Sequence, residues 1–224
     1  MKKTITKICG LMREEDIESC ILSEVDIIGF VAEYPVAVPW NLSVDRAKEL
    51  IAYFKECKTK YNSSSECCVV TGGSSKKLIG LLEELPVDYI QLHYKEDVKE
   101  IQSCVDYRQK TGKAFKIIKT IPKQNPLDCV KAYENAGADI LLLDARTPEN
   151  AAEKSTMFDE GLFTAIKDST KLPVMAAGGI VPENVGKILS DLKPAMIDIM
   201  TGVEEDYGIK SKEKIEMIMK EVAL

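Results

Sequence analysis

Eight short apolar runs alternate with eight helix-like segments along this chain of 224 residues, and this alternation restricts the possible folds more than any other feature. The runs are rich in β-branched residues. Several are continuous rather than alternating, which is typical of strands buried on both faces of a parallel sheet. They lie at 5–9, 26–31, 67–72, 89–93, 115–121, 140–144, 173–178 and 197–202.

The segments between these runs carry apolar residues at three- and four-residue spacing, which predicts helices. Ser43 is a favourable N-cap for one of them, and Gly137 is suited to end another. Pro182 fits the first turn of a later helix, and the last helix is predicted to follow Ser211.

Eight strand–helix units with no linker-like stretch between them predict a single-domain (β/α)8 TIM barrel that spans residues 1–224. A doubly wound sheet is the competing arrangement. It is disfavoured because no G-x-G-x-x-G motif follows the first run, and because eight units fill the length of the chain.

Composition and charge indicate an acidic globular protein. Hydrophobic residues make up 45% of the chain, and the net charge of -6 argues against nucleic acid or an anionic membrane surface as a partner. No run of about 18 apolar residues occurs, and the first residues lack the apolar core of a secretory signal. We therefore expect a cytoplasmic protein.

Cysteine and histidine usage argues against a metal site. The seven cysteines are scattered and never have C-x-x-C spacing, so neither a zinc site nor a disulfide framework is expected. His93 is the single histidine, which excludes metal chemistry that needs two. We expect no metal.

In a barrel of this kind the chemistry collects at the carboxyl ends of the strands. Gly178 and Gly179 follow the seventh run, and Thr201 and Gly202 end the eighth. Glycines in these two loops let backbone N–H groups approach a ligand closely, which predicts a phosphate site. The alternative is that these glycines only make tight turns.

Cys9 and Asp144 end the first and sixth runs, so both side chains should point into the mouth of the barrel. A thiolate and a carboxylic acid across one pocket can act as a base and an acid. Lys7 lies two residues before Cys9 and should share its face. Alternatively, Cys9 is a packing residue and Asp144 a helix cap.

Other polar residues at strand ends are candidates for substrate binding. His93 and Gln91 end the fourth run, although a lone histidine is more often a packed residue than a catalyst. Asp198 lies in the eighth run. Trp40, the only tryptophan, could stack on an aromatic ring or anchor its loop.

The motifs KICG, GFV, QLH, LLLD, AGGIVPENV and TGVE occur in this order, and together they resemble the phosphoribosylanthranilate isomerase family of tryptophan biosynthesis. The resemblance covers nearly the whole chain. It implies a barrel that performs an Amadori rearrangement on a phosphorylated small molecule without a cofactor, as a monomer or homodimer. It further implies that Asp144 is the general acid, that Cys9 is the general base, and that the four residues of the two late loops hold the phosphate.

Three stretches depart from the family pattern. The family usually has an arginine after the GFV strand that grips the anthranilate carboxylate, but GFVAEYPVAVPWNLS contains none. The glycine-rich loop after strand six is replaced by ARTPENAAEKSTMFDEGLF, and strand three ends in TGGSS. Arg146 or Lys119 could replace the missing arginine, although exposure to solvent is the simpler expectation for both.

The acid, the base and the phosphate motifs therefore match the family, whereas the segment that would recognise anthranilate does not. Two alternatives stay open. One is an isomerase or epimerase of another pentose phosphate or aminosugar phosphate, and the other is a non-catalytic barrel that binds a phosphorylated metabolite.

Overall fold

The computed structural model describes residues 4–145 and 157–224. Eight parallel strands close into a barrel in chain order. The strands are β1 (Ile5–Ile8), β2 (Ile27–Val31), β3 (Glu66–Thr71), β4 (Tyr89–Leu92), β5 (Lys116–Thr120), β6 (Ile140–Asp144), β7 (Val174–Ala177) and β8 (Met196–Ile199). The helices around them are α1 (Glu14–Leu22), α2 (Val44–Lys60), α3 (Ser75–Glu84), α4 (Val98–Thr111), α5 (Pro126–Ala136), α6 (Glu160–Ser169), α7 (Pro182–Leu192) and α8 (Lys212–Val222).

Alternation along each strand divides the apolar core into two layers, because successive side chains point to opposite faces. One layer fills the barrel interior and includes Ile27, Val70, Ile118, Leu142 and Met175. The other lies between the barrel and the helices and includes the neighbouring positions Ile28, Val69, Ile117, Leu141 and Ala176. Cys9 belongs to the interior layer, so the end of β1 points its side chain into the barrel.

The predicted (β/α)8 barrel is confirmed, and so are the local signals for helix ends. The Ser43 side chain accepts a hydrogen bond from the Arg46 N–H at the start of α2. Gly137 caps α5 in the left-handed conformation, with φ of 96°. Pro182 is the first residue of α7, and α8 begins directly after Ser211.

The eighth unit differs from its predicted form. Its strand ends at Ile199 rather than at Gly202, and Thr201–Val203 forms a short 3-10 helix. An antiparallel hairpin of β9 (Glu204–Asp206) and β10 (Ile209–Lys210) then precedes α8. The sequence pattern missed this hairpin because its strands are too short to give a periodic apolar signal.

That one domain accounts for all of residues 1–224 stays a prediction, since residues 1–3 and 146–156 lie outside the described part of the chain. Among the described helices, none combines the length and the apolar character that crossing a bilayer requires.

Candidate active site

A cavity opens at the carboxyl ends of the strands. It contains about 530 Å³ of empty space, part of which is continuous with solvent. Six of the residues singled out in the sequence line it, namely Cys9, Trp40, Gln91, His93, Asp144 and Asp198. The remaining wall is formed by residues that the sequence did not point to, namely Val31, Tyr34, Val38, Val70 and Met200.

Cys9 is held at the cavity by the turn that follows β1. Its backbone N–H donates to the carbonyl of Ile199 at 2.9 Å, which continues the pairing of β1 with β8. The next residue, Gly10, has φ of 73°, and a Cβ there would lie 2.8 Å from the sulfur of Met200 and 3.1 Å from Cδ1 of Trp40. A glycine is therefore required directly after Cys9.

Lys7 lies beneath Cys9 rather than in the cavity wall. Its side chain is fully buried, and its ammonium donates to both carboxylate oxygens of Asp198 at 2.9 Å. The two residues are register partners on β1 and β8. Gly29 on β2 makes room for both Lys7 and Cys9, since a Cβ there would lie 3.0 Å from Sγ of Cys9 and 3.1 Å from Nζ of Lys7.

Burial and two neighbouring charges set the pKa of the Cys9 thiol. Burial raises the pKa of the Cys9 thiol, the Lys7 ammonium opposes this rise, and the Asp198 carboxylate adds to it. Burial disfavours the charge on Lys7, but attraction by Asp198, Cys9 and Cys68 outweighs burial and raises the pKa of Lys7. Lys7 therefore stays protonated and supplies the cation that a buried thiolate needs.

Substitutions of Lys7 and of Asp198 should shift the pH profile of kcat/KM in opposite directions. If the Cys9 thiolate is the active form, activity rises with pH through the pKa of Cys9. Lys7→Met removes the group that lowers this pKa, so the rise should move to higher pH. Asp198→Asn removes a group that raises this pKa, so the rise should move to lower pH. We expect the two shifts in kcat/KM profiles measured between pH 6 and 10, where shifts in the same direction would contradict the assignment.

Asp144 and His93 are neighbours in the cavity wall. The Nε2 atom of His93 lies 3.5 Å from a carboxylate oxygen of Asp144. On its other side, Nδ1 lies 2.9 Å from the amide nitrogen of Gln91 and 2.9 Å from the Thr120 hydroxyl. In this orientation of the Gln91 amide its N–H group donates to Nδ1, so that Nε2 is the ring nitrogen that faces Asp144. Gln91 and His93 thus form a chain that orients the carboxyl group.

The two late glycine loops contact each other next to Asp144. Gly178 has φ of 95°, and a Cβ there would lie 3.1 Å from an Asp144 carboxylate oxygen and 2.5 Å from Cβ of Ala145. A Cβ on Gly202 would overlap the carbonyl oxygen of Ile180. The loops that contain Gly178, Gly179, Thr201 and Gly202 therefore meet at one edge of the barrel mouth, although these four residues are not part of the cavity wall described above.

The close packing at Gly202 should make an added methyl group costly. Gly202→Ala forces backbone to move, and overpacking of this kind typically costs about 1–3 kcal/mol of unfolding free energy. Gly80→Ala is the matched control, because nothing lies within 4 Å of a Cβ at this helical glycine. Removing a glycine from a helix should instead stabilise the protein by about 0.5–1 kcal/mol. Urea denaturation measures both changes, and equal effects would refute the contact at Gly202.

Trp40 both lines the cavity and anchors loop 32–43, which connects β2 with α2. Its indole N–H donates to Oε1 of Glu204 at 2.7 Å, and its ring packs edge-on against Tyr207 at 5.7 Å between centroids. The same Glu204 oxygen accepts from the Lys210 ammonium at 2.7 Å. Sequence reasoning missed Glu204 and Lys210 as site residues, although Glu204 is the last residue of the TGVE motif.

The expectation that Lys119 is exposed to solvent is wrong. Lys119 is buried, and its ammonium lies 3.6 Å from a Glu96 carboxylate oxygen and 5.5 Å from the ring centre of Tyr133. It points to the helix layer because its neighbour Ile118 points into the barrel. It therefore does not supply a cation to the cavity. Arg146 and the segment 146–156 lie outside the described residues.

A family model and a curated relative identify the same family. A family model described as N-(5′-phosphoribosyl)anthranilate (PRA) isomerase matches residues 6–221. The N-(5′-phosphoribosyl)anthranilate isomerase 1 of Methanosarcina mazei is 31% identical over an alignment that covers 98% of this chain and 95% of that protein.

Solved structures agree on the fold. Phosphoribosyl anthranilate isomerase from Thermus thermophilus has a TM-score of 0.77 at 24% identity, over 97% of this chain and 98% of that one. A phosphoribosyl anthranilate isomerase in complex with reduced 1-(o-carboxyphenylamino)-1-deoxyribulose 5-phosphate has a TM-score of 0.74 at 23% identity, over 98% of each chain. At these identities the likeness establishes the barrel and leaves the chemistry to be argued from the site.

Proposed function

Because this chain belongs to the N-(5′-phosphoribosyl)anthranilate isomerase family, we propose that it converts an N-phosphoribosyl aromatic amine into the corresponding 1-deoxyribulose phosphate, as a step of tryptophan biosynthesis. Members of this family are isomerases of the intramolecular oxidoreductase class. The observation that carries the proposal is that Cys9 and Asp144 face one cavity, with the two glycine loops beside Asp144.

Asp144 is the general acid of the first step. Its carboxyl proton passes to the ring oxygen of the ribose, the bond between C1 and this oxygen breaks, and the amine nitrogen supplies the electron pair that forms a C1–N iminium. His93 and Gln91 act as positioning residues that hold the carboxyl group toward the sugar. A positioned proton transfer of this kind contributes about 10²–10⁴-fold to the rate.

Cys9 is the general base of the second step. Its thiolate removes the proton from C2, and the electrons of the C2–H bond form a C1–C2 double bond while the iminium nitrogen regains its lone pair. The resulting enolamine takes up a proton at C1 and releases the proton of its C2 hydroxyl, which gives the ketone. C1 is reduced and C2 is oxidised within one molecule, so no external electron acceptor is needed. Lys7 acts as a positioning residue that stabilises the thiolate from below.

The phosphate of the substrate binds at the loops of Gly178, Gly179, Thr201 and Gly202. Three features support this part of the proposal. The loops contact each other, Gly178 and Gly179 have positive φ in a turn that crowds out a Cβ at Gly178, and Asp144 lies alongside. A phosphate held there places the sugar between β6 and β1, where the acid and the base are located. Whether the enzyme works as a monomer or a homodimer stays a prediction.

A direct assay tests the proposed function. Purified protein is supplied with N-phosphoribosylanthranilate, and loss of substrate fluorescence is followed over time. We expect turnover that increases in proportion to protein concentration. Cys9→Ser/Asp144→Asn, prepared in the same way, is the control for a contaminating host isomerase. Absence of turnover by the wild-type protein at micromolar concentration, together with measurable binding of ribose 5-phosphate, would instead favour a non-catalytic metabolite-binding barrel.

A further inference from the structure

We propose that the amine end of this site accepts an uncharged aryl group, so that an N-phosphoribosyl aryl amine without a ring carboxylate is turned over at least as efficiently as N-phosphoribosylanthranilate. The inference rests on the proposed function, and it specifies the substrate class of the same site. It is argued from the wall of the cavity on the side away from the phosphate loops.

The position of the amine follows from the order of the strands. The phosphate loops follow β7 and β8, and Asp144 and Cys9 end or follow β6 and β1. The sugar between this acid and this base therefore directs its amine substituent across the barrel, toward β2, β3 and loop 32–43. The cavity wall there consists of Val31, Val70, Tyr34, Val38 and Trp40.

The described residues of this wall offer apolar and aromatic surface and no cation. Of the described residues that line the cavity, none is lysine or arginine, and the carboxylates that line it belong to Asp144 and Asp198. Lys7 lies nearby, but it is fully buried and holds both oxygens of Asp198. A ring carboxylate at this wall would lose its hydration without gaining an ion pair from the described lining residues, which is unfavourable.

The hydrogen-bond donors on this side already have acceptors. The Tyr34 hydroxyl donates to the His93 carbonyl at 2.7 Å, and the Trp40 indole donates to Glu204 at 2.7 Å. Binding a carboxylate through either donor would break a bond that holds the wall in place. An apolar ring instead packs against the valines and the tryptophan without disturbing these bonds.

Three substrates that differ in the charge and bulk of the ring substituent test the inference. They are the N-phosphoribosyl derivatives of aniline, anthranilate and methyl anthranilate, with product formation followed by chromatographic separation of substrate and ketose. The ester keeps the bulk of the ortho substituent and removes its charge. We expect kcat/KM for the aniline and ester derivatives to equal or exceed that for anthranilate. A preference for anthranilate of more than tenfold over both would overturn the inference and leave the proposed function intact, whereas no turnover of any of the three would overturn the proposed function and the inference with it.

Adding the missing cation gives a reciprocal test. Val38 is a half-buried residue of the cavity wall on loop 32–43. Val38→Arg should raise the ratio of kcat/KM for anthranilate over its ester by about 10–100-fold, since a hydrogen bond to a charged group is worth this much. Val38→Met, which adds length without charge, should leave the ratio unchanged. If Val38→Arg folds by circular dichroism and the ratio stays the same, the placement of the amine is wrong.

Segment 146–156, outside the described residues, contains two cations, Arg146 and Lys154, and Arg146 is checked separately because it lies two residues past Asp144. Arg146→Ala should leave the ratio of anthranilate to ester within about threefold of the wild-type ratio, a change of less than the 1.4 kcal/mol that a tenfold effect represents. A loss of anthranilate preference greater than tenfold in Arg146→Ala would show that this side chain serves the ring carboxylate, and it would overturn the inference even if Val38→Arg could not be purified.

Discussion

Asp144→Asn is expected to lower kcat for N-phosphoribosylanthranilate by about 10²–10⁴-fold, the usual contribution of a positioned general acid. The amide has the shape of the carboxyl group but no proton acidic enough to give to the ribose ring oxygen. The phosphate loops and the apolar wall are unchanged, so KM should change much less than kcat. Stopped-flow or steady-state fluorescence measures both constants.

The control for Asp144→Asn uses the neighbouring histidine. His93 lies 3.5 Å from the Asp144 carboxylate and is assigned a positioning role, so His93→Gln should cost less than Asp144→Asn. If His93→Gln abolished turnover while Asp144→Asn retained more than a tenth of the wild-type kcat, the acid would have to be reassigned to His93.

Cys9→Ser is the second substitution with a large expected effect, again about 10²–10⁴-fold in kcat. A serine hydroxyl is a far weaker acid than a thiol, so Lys7 cannot generate a useful population of the alkoxide at neutral pH. Ring opening by Asp144 does not need Cys9. Because Cys9 is the group that removes the C2 proton, exchange of this proton with solvent deuterium should be lost in Cys9→Ser. NMR of substrate recovered from heavy water measures this exchange directly.

Cys129→Ser is the matched control for the loss of a thiol. Cys129 lies on α5, is only partly buried and does not line the cavity. This variant should have the kcat of the wild-type protein and the same rate of deuterium exchange. Cys9→Ser with wild-type exchange would contradict the role of the thiolate and return Cys9 to the packing role that was its alternative.

Much of the fold follows from local sequence signals. Continuous β-branched runs and helical spacing gave the eight units, since each strand is buried on both faces and each helix on one. Single residues with a physical role marked several ends, as at Ser43, Gly137 and Pro182. The hairpin of β9 and β10 escaped because its few residues are held by pairing and by the buried Glu204, not by a repeating apolar pattern.

The candidate site was predictable where a residue's position on its strand decides whether its side chain reaches the cavity. Cys9 and Asp144 were placed correctly at one cavity because the ends of barrel strands converge. The environment of Lys119 was not predicted. Side chains alternate along β5, so Lys119 points outward and pairs with Glu96 on the loop before α4. The spacing of residues in the sequence does not reveal this partner. The depth of Lys7 beneath Cys9 depends on the register that closes β1 against β8, which is a contact between the two ends of the chain.

The hydrogen bond between Trp40 and Glu204 has a consequence for protein engineering. It ties loop 32–43 to the β9–β10 hairpin across the rim, and the second Glu204 oxygen has no hydrogen-bond partner among the described residues. A chimera that imports a relative's loop without an indole at this place would leave a buried carboxylate short of donors. Grafting should therefore succeed only when loop and hairpin are exchanged together, as one structural module.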